Sequence, residues 1–259
     1  MRRPVIVDFA RYDPWRCARR DVKFDISPRD VVLWGCLLAG GPDEVDAWAQ
    51  WLSADELARA NRFLRAADRD SFIIAHGVLR HLLARCCDLA PAQLRFDSGS
   101  AGKPSLRSVD GADPGITFSL AHCAGRALVV VGRGRAIGAD LECGRDDVDV
   151  LDMANRLFEA EEAAAIAATH PDRRRDAFFR HWVAKEAVLK AEGVGLSLPL
   201  DQFAVRFLPD GSRARAVASP DKLAPDWTVR MLPLRDGWHG AVASHGGDWV
   251  LRPGAGADA

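Results

Sequence analysis

Apolar positions along this 259-residue chain change their period several times, and each change marks an element. Val31-Val32-Leu33-Trp34-Gly35-Cys36-Leu37-Leu38 is a continuous apolar run closed by Gly40-Gly41-Pro42, which predicts a buried strand. A helical region follows. Ser53 stands three residues before Glu56, the pattern of a capping box, and opens a helix over Asp55 to Phe63. From Asp68 to Cys87 apolar side chains recur at Phe72, Ala75, Leu79, Leu82 and Leu83, the spacing of a helix with one face in a core. Pro91 ends that region. A loop rich in Ser, Gly and Pro runs from Asp97 to Pro114, and Ile116 to Leu120 with Ala127 to Val131 then read as the two strands of a hairpin.

Gly132-Arg133-Gly134-Arg135 marks a boundary, beyond which the order starts again. A strand is expected over Ala136 to Glu142, helices within Val148 to Glu192, and strands near Phe203 to Leu208, Thr228 to Leu232 and Gly240 to Ser244. The fold class is therefore α/β (α+β): a pseudo-dimer of two similar α/β halves, 1–134 and 135–252, with the active site in the cleft between them. Residues 253–259 are expected to be a disordered tail. No repeat is visible residue by residue, so the duplication rests on element order.

Composition narrows the class. Hydrophobic residues make up 48% and charged residues 27%, as in a soluble globular protein, and the formal net charge of -1 supplies no field for nucleic acid or an anionic membrane. Arg2-Arg3, Arg16 to Arg20 and Arg173-Arg174-Arg175 read most simply as solvated faces. Six cysteines (Cys17, Cys36, Cys86, Cys87, Cys123, Cys143) show no Cys-x-x-Cys spacing, which fits idle thiols in a reducing compartment better than zinc or a disulfide framework. The N-terminal apolar run is too short for a signal peptide, and no stretch approaches the roughly 20 residues of a membrane span. A cytoplasmic protein is expected, and the two-half organisation suggests a monomer.

Two segments stand out chemically. Ile137-Gly138-Ala139-Asp140-Leu141-Glu142 places two carboxylates at i and i+2, on one face of a strand. That face is either solvated or shared by a cation, and oxygen-only ligands suit Mg²⁺. In Trp182-Val183-Ala184-Lys185-Glu186-Ala187-Val188-Leu189-Lys190, Glu186 and Lys190 share a helix face with Trp182 one turn before them. They form either an i,i+4 pair worth about 0.3–0.5 kcal/mol or, if Glu186 converges on Asp140 and Glu142, part of a metal site. Lys103, between Gly102 and Pro104, His122 at a strand end, and Arg59 on the helix after Ser53 are either phosphate ligands or ordinary surface residues. A phosphate-binding Gly-x-x-x-x-Gly-Lys-Ser/Thr loop, a Gly-x-Gly-x-x-Gly turn and a Gly-x-Ser-x-Gly elbow are all missing from the sequence. Nucleotide kinase, dinucleotide oxidoreductase and α/β-hydrolase readings therefore lack support.

In this order, Gly102-Lys103-Pro104, Phe118 to His122, Ile137 to Glu142, Trp182 to Lys190 and Gly193-Val194-Gly195-Leu196-Ser197-Leu198-Pro199-Leu200 resemble the 4′-phosphopantetheinyl transferases. The likeness is to the longer, two-half type typified by the surfactin synthetase activator, and it covers roughly Ser53 to Leu208, with Phe203, Arg156, Phe158 and Glu161 also on family positions. The resemblance implies transfer of the phosphopantetheine arm of coenzyme A to a serine of an apo acyl or peptidyl carrier protein, releasing 3′,5′-ADP. It also implies Mg²⁺, or Mn²⁺, held by Asp140, Glu142 and Glu186 and neutralising the pyrophosphate. Glu186 becomes the general base, Lys190 a phosphate ligand, and Arg59, Gly102, Lys103, Ala121 and His122 the coenzyme A site. Ala121 departs from the family, many of whose members carry serine before the histidine. Arg145, Arg156 and Phe158 would face the acidic carrier. A second reading is a catalytically silent coenzyme A or carrier-protein binding module of the same descent. Neither reading calls for nucleic acid or membrane.

Overall fold

The computed structural model describes residues 7, 9–10, 24–98, 102–107, 114–218, 222–224 and 226–254. The arginine runs near the N-terminus, Cys17, most of the loop after residue 98 and residues 255–259 of the expected tail lie outside that set.

The described residues form a mixed α/β fold in which two sheets pack face to face, each with helices on its outer side. The first sheet holds strands β1 (Phe9–Ala10), β2 (Asp30–Leu37), β5 (Ile116–Cys123) and β6 (Arg126–Arg133) in the order β1-β2-β6-β5. A short ribbon of β3 (Phe96–Ser98) and β4 (Pro104–Leu106) stands apart. The second sheet has the order β7-β11-β10-β9-β8, from β7 (Ile137–Cys143), β8 (Ala204–Phe207), β9 (Arg213–Val217), β10 (Trp227–Met231) and β11 (Trp238–His245). Between the sheets lie Val31, Leu33, Leu128 and Val130 from the first, and Ile137, Ala139, Leu141 and Val242 from the second. Ser119 Oγ accepts from the Ala139 amide at 3.1 Å, so β5 and β7 also meet by a hydrogen bond.

Helix α1 (Pro42–Ala49), α2 (Ala54–Ala60) and α3 (Ala66–Cys87) belong to the first half. The capping box expected at Ser53 is formed: Ser53 Oγ accepts from the Glu56 amide, and the Glu56 carboxylate accepts from the Ser53 amide at 2.8 Å. Helix α3 buries Phe72, Ala75, Leu79, Leu82 and Leu83 against the outer face of the first sheet, as their spacing demands. Helices α4 (Val150–Leu157), α5 (Ala160–Ala168) and α6 (Pro171–Glu192) cover the second.

One close approach fixes α6. A Cβ placed on Gly138 would lie 2.1 Å from the Ala187 carbonyl oxygen and 2.3 Å from the Ala191 amide nitrogen, so only glycine lets this helix rest on the backbone of β7. The same strand face carries Asp140 and Glu142, while Ile137, Ala139 and Leu141 fill the layer between the sheets. Helix α6 ends at Gly193, whose φ of +80° suits glycine and whose amide donates to Leu189 at 2.9 Å.

The end of the chain differs from expectation. Strand β12 (Val250–Pro253) pairs in parallel with β2, and the Gly254 amide donates to Leu33 at 2.7 Å. Residues 250–252, assigned by sequence to the second half, and Pro253, assigned to the tail, thus complete the first sheet. The apolar run here, Trp249-Val250-Leu251, is too short to read as a strand by itself, although Trp249 and Leu251 pack into the layer between the sheets.

Candidate active site

Strand β7 and helix α6 bring Asp140, Glu142, Glu186 and Lys190 together. Asp140 lies beneath the helix with 4% of its surface exposed, so its carboxylate is not on a solvated face. The Lys190 ammonium donates to Asp140 Oδ1 at 2.5 Å. Asp140 Oδ2 is buried and has no hydrogen-bond partner among the described residues. Lys190 therefore bridges helix to strand and does not form the i,i+4 pair with Glu186, because Asp140 is the better-desolvated partner. Glu186 makes no hydrogen bond or ion pair with a described residue.

All three carboxyls are held above the usual carboxylate range. For Asp140 the cause is burial, opposed by Lys190. For Glu142 it is burial followed by the charge of Asp140. For Glu186 it is burial, then the charges of Asp140 and Glu142, against Lys190. Three desolvated acids with one ammonium between them are an unneutralised set. No group of three or more His, Cys, Asp or Glu among the described residues is gathered closely enough to hold a metal as it stands. The donor set nevertheless fits a hard divalent cation: it is all oxygen, and one buried oxygen lacks a partner.

His122 is close enough to Lys190 to feel its charge, together with those of His76 and Arg59. His122, the residue before the last of β5, is exposed near the strand tip, yet its ring is partly desolvated by the protein around it. That desolvation, and then the charges of His76, Lys190 and Arg59, hold it below the usual imidazole value. The Arg59 guanidinium lies 5.4 Å from the centre of the Phe72 ring. His76 is the member of this group that sequence reasoning missed, and Arg80, buried and bonded to Glu56 and to the Pro91 and Leu94 carbonyls, stands behind it. They follow Phe72 at four-residue steps on α3, a spacing that would have placed them on the same face as a known core residue. His76 Nδ1 lies 3.0 Å from Glu56 Oε1, and Arg80 donates to Glu56 Oε2 at 2.8 Å. Glu56, legible as a cap, thus also ties α2 to α3 and sets where Arg59 stands.

Burial alone would raise the Glu56 pKa. The hydrogen bonds of His76, Arg80 and the Ser53 amide, with the charge of Arg80, outweigh it and hold the carboxyl at about 2, below its ordinary 4.5. A depressed carboxyl stabilises the fold fully above its unfolded pKa, and that stabilisation fades as pH falls through the folded one. Unfolding free energy should therefore drop by about 3 kcal/mol between pH 4.5 and pH 2 from this group. Denaturant titrations across that window should show a flatter profile for Glu56→Gln; equal slopes would refute the assignment.

The remaining sequence-predicted positions lie elsewhere. Lys103 docks on backbone, donating to Ile137 at 2.9 Å and Ala191 at 3.2 Å, and burial, against the charge of Glu192, lowers it to about 8. Gly102 beside it adopts φ +82° with open space around it. Ala121 is buried between the sheets, where the methyl packs among Leu128 and Leu141. Phe158 contradicts its expected role as a surface anchor: it is 4% exposed, 5.1 Å from Phe178 and in the core beneath α4. An aromatic after an arginine reads alike in sequence whether it points in or out. Arg156 is exposed, within 3.5 Å of Asp152. Glu161 pairs with Arg206 at 2.6 Å.

The sequence missed one further element. Lys185, beside Glu186 but on the opposite side of α6, is fully buried against Glu162 at 2.7 Å. Its ammonium also donates to the Leu200 and Phe203 carbonyls, and Glu162 Oε1 accepts from the Val205 amide at 2.6 Å. This pair joins α5, α6 and the start of β8.

The sequence model of the 4′-phosphopantetheinyl transferase superfamily matches residues 136–243, the segment that carries β7 and α6. The 4′-phosphopantetheinyl transferase HetI of Nostoc sp. is 35% identical over 222 residues, 85% of this chain and 90% of that protein. A 4′-phosphopantetheinyl transferase of Bacillus subtilis is 33% identical over 168 residues, covering 65% and 72% of the two chains. Sfp of the same species is 27% identical over 202 residues, 78% and 86%. The chain belongs to the 4′-phosphopantetheinyl transferase superfamily. Within it the chain is of the Sfp type, an enzyme that transfers 4′-phosphopantetheine.

Proposed function

We propose that Asp140, Glu142 and Glu186 hold a divalent metal and that coenzyme A lies between this set and the cations around His122. The acceptor is a serine of an apo acyl or peptidyl carrier protein. The observation that carries the reading is the Asp140 carboxylate: buried, bonded by Lys190 on one oxygen and unpartnered on the other. A buried charge with half its capacity unmet costs several kcal/mol unless a ligand completes it. Mg²⁺ or Mn²⁺ bound there would neutralise the pyrophosphate and the charge developing on the leaving group.

Each residue then has a task. Glu186, raised above the usual carboxylate range and without a partner among the described residues, takes the proton of the carrier serine. The serine oxygen attacks the β-phosphorus, the bond to the bridging oxygen breaks, and 3′,5′-ADP leaves. Lys190 shifts from Asp140 toward the phosphates, offsetting charge that grows in the transition state. Arg59 and His122 bind phosphate oxygens, and Lys103 joins them once it leaves the Ile137 and Ala191 carbonyls. Gly102 frees that loop, and the backbone at Ala121 takes the place of the missing hydroxyl.

The two-half division at residue 134 and a cleft between the halves belong to the same reading, supported by the two sheets with their outer helices. So do a monomer and a cytoplasmic location; among the described residues no helix is long and apolar enough to cross a membrane. Fluorescent coenzyme A should label an apo carrier protein only when Mg²⁺ or Mn²⁺ is present, with the carrier gaining the phosphopantetheine mass. Binding of coenzyme A without turnover across a panel of carriers would overturn the reading in favour of a silent binding module.

A further inference from the structure

We propose that Cys123 and Cys143 form an oxidative modification site: a reversible disulfide joining β5 to β7, formed by small-molecule disulfides such as glutathione disulfide. The two sulfurs lie 3.3 Å apart, one at the end of an edge strand of each sheet. A disulfide needs about 2.05 Å, so side-chain rotation and a small approach of the strand ends suffice. Both residues are half-buried. Cys36 and Cys86, by contrast, are enclosed in the first core; burial pushes the Cys123 thiol up to about 12 as it does theirs, so the 3.3 Å geometry is what singles out this pair.

The exchange balances. One cysteine sulfur attacks the small disulfide, whose S–S bond breaks and releases one small thiol. The second cysteine sulfur attacks the mixed disulfide and releases the other. The two cysteine protons end on the two released thiols; the cysteines are oxidised and the reagent is reduced.

The site adjoins the carboxylate set. Cys123 Sγ donates to Glu142 Oε2 at 3.7 Å, and Cys143 directly follows Glu142. A disulfide sulfur carries no hydrogen, so oxidation removes that donor and ties the strand beside Glu142. Loss of turnover on oxidation therefore rests on the placement of Glu142 in the metal set, whereas formation of the bond does not.

The full-length protein is equilibrated in glutathione buffers of rising oxidised fraction, quenched and mapped by mass spectrometry without reductant. A peptide pair linked through Cys123 and Cys143, two mass units lighter than the thiols and released by dithiothreitol, is expected. Transfer should fall at least about tenfold in step with it, as for lost contacts to metal ligands. Cys143→Ser should form no link and keep its activity in reducing buffer, and any loss in oxidising buffer should follow a glutathione adduct on Cys123 instead. Separate glutathione adducts without the link would overturn the site. A quantitative link with full activity would overturn its connection to Glu142. A reduced protein that forms the link on oxidation yet never turns over would overturn the functional reading alone.

Discussion

Asp140→Ala is expected to lower phosphopantetheine transfer by at least about a thousandfold while leaving the unfolding midpoint unchanged or higher. The combination follows from burial. Asp140 is almost wholly enclosed, and one of its oxygens meets no donor. Removing it deletes a desolvated charge, and Lys190, whose side chain is 37% exposed, turns to solvent. Glu186→Ala should behave alike, since Glu186 is raised by its neighbours and bonds nothing among the described residues. The loss in rate is of the size found when a preorganised electrostatic contact to the transition state is deleted. Initial rates with labelled coenzyme A and parallel chemical denaturation decide it. Full activity in either variant sinks the metal assignment, and a collapsed fold sinks the burial argument.

Lys185→Met should do the reverse, damaging the fold first. It leaves Glu162, 1% exposed, with no countercharge, and breaking a buried pair from one side typically costs about 3–5 kcal/mol. The Leu200 and Phe203 carbonyls lose their donor as well, loosening the exit of α6. Adding Glu162→Gln should restore most of the stability, because the amide oxygen still accepts from the Val205 amide and no charge remains buried. Urea unfolding of the single and double variants forms the test. A double variant as unstable as Lys185→Met would show that packing beneath the Phe158 and Phe203 rings, not charge, holds this junction.

What could be read from the sequence were features with local causes. The Ser53–Glu56 cap, the one-faced α3 and the hairpin of β5 and β6 each follow from spacing over a few residues, and all three form. The alternation in Ile137 to Glu142 likewise placed the two acids on one face. Choices among distant partners were not legible. Lys190 prefers Asp140 over Glu186, and Lys103 prefers two carbonyls over open solvent, because desolvation ranks partners that spacing alone cannot. Strand β9 (Arg-Ala-Arg-Ala-Val) shows period-2 alternation in its sequence, yet its arginines and alanines have weak strand preference, so it passed unnoticed.

Strand β12 has a consequence for how the molecule is made. The start of β2, Asp30 to Leu33, gains its partner on one side only when residues 250–253 arrive, more than two hundred positions later. On a ribosome the first half therefore keeps that part of the β2 edge unsatisfied until residue 253 has emerged, while β1 covers Gly35 and Cys36. A genetically split version divided at residue 134 would need the second piece to lend β12 to the first.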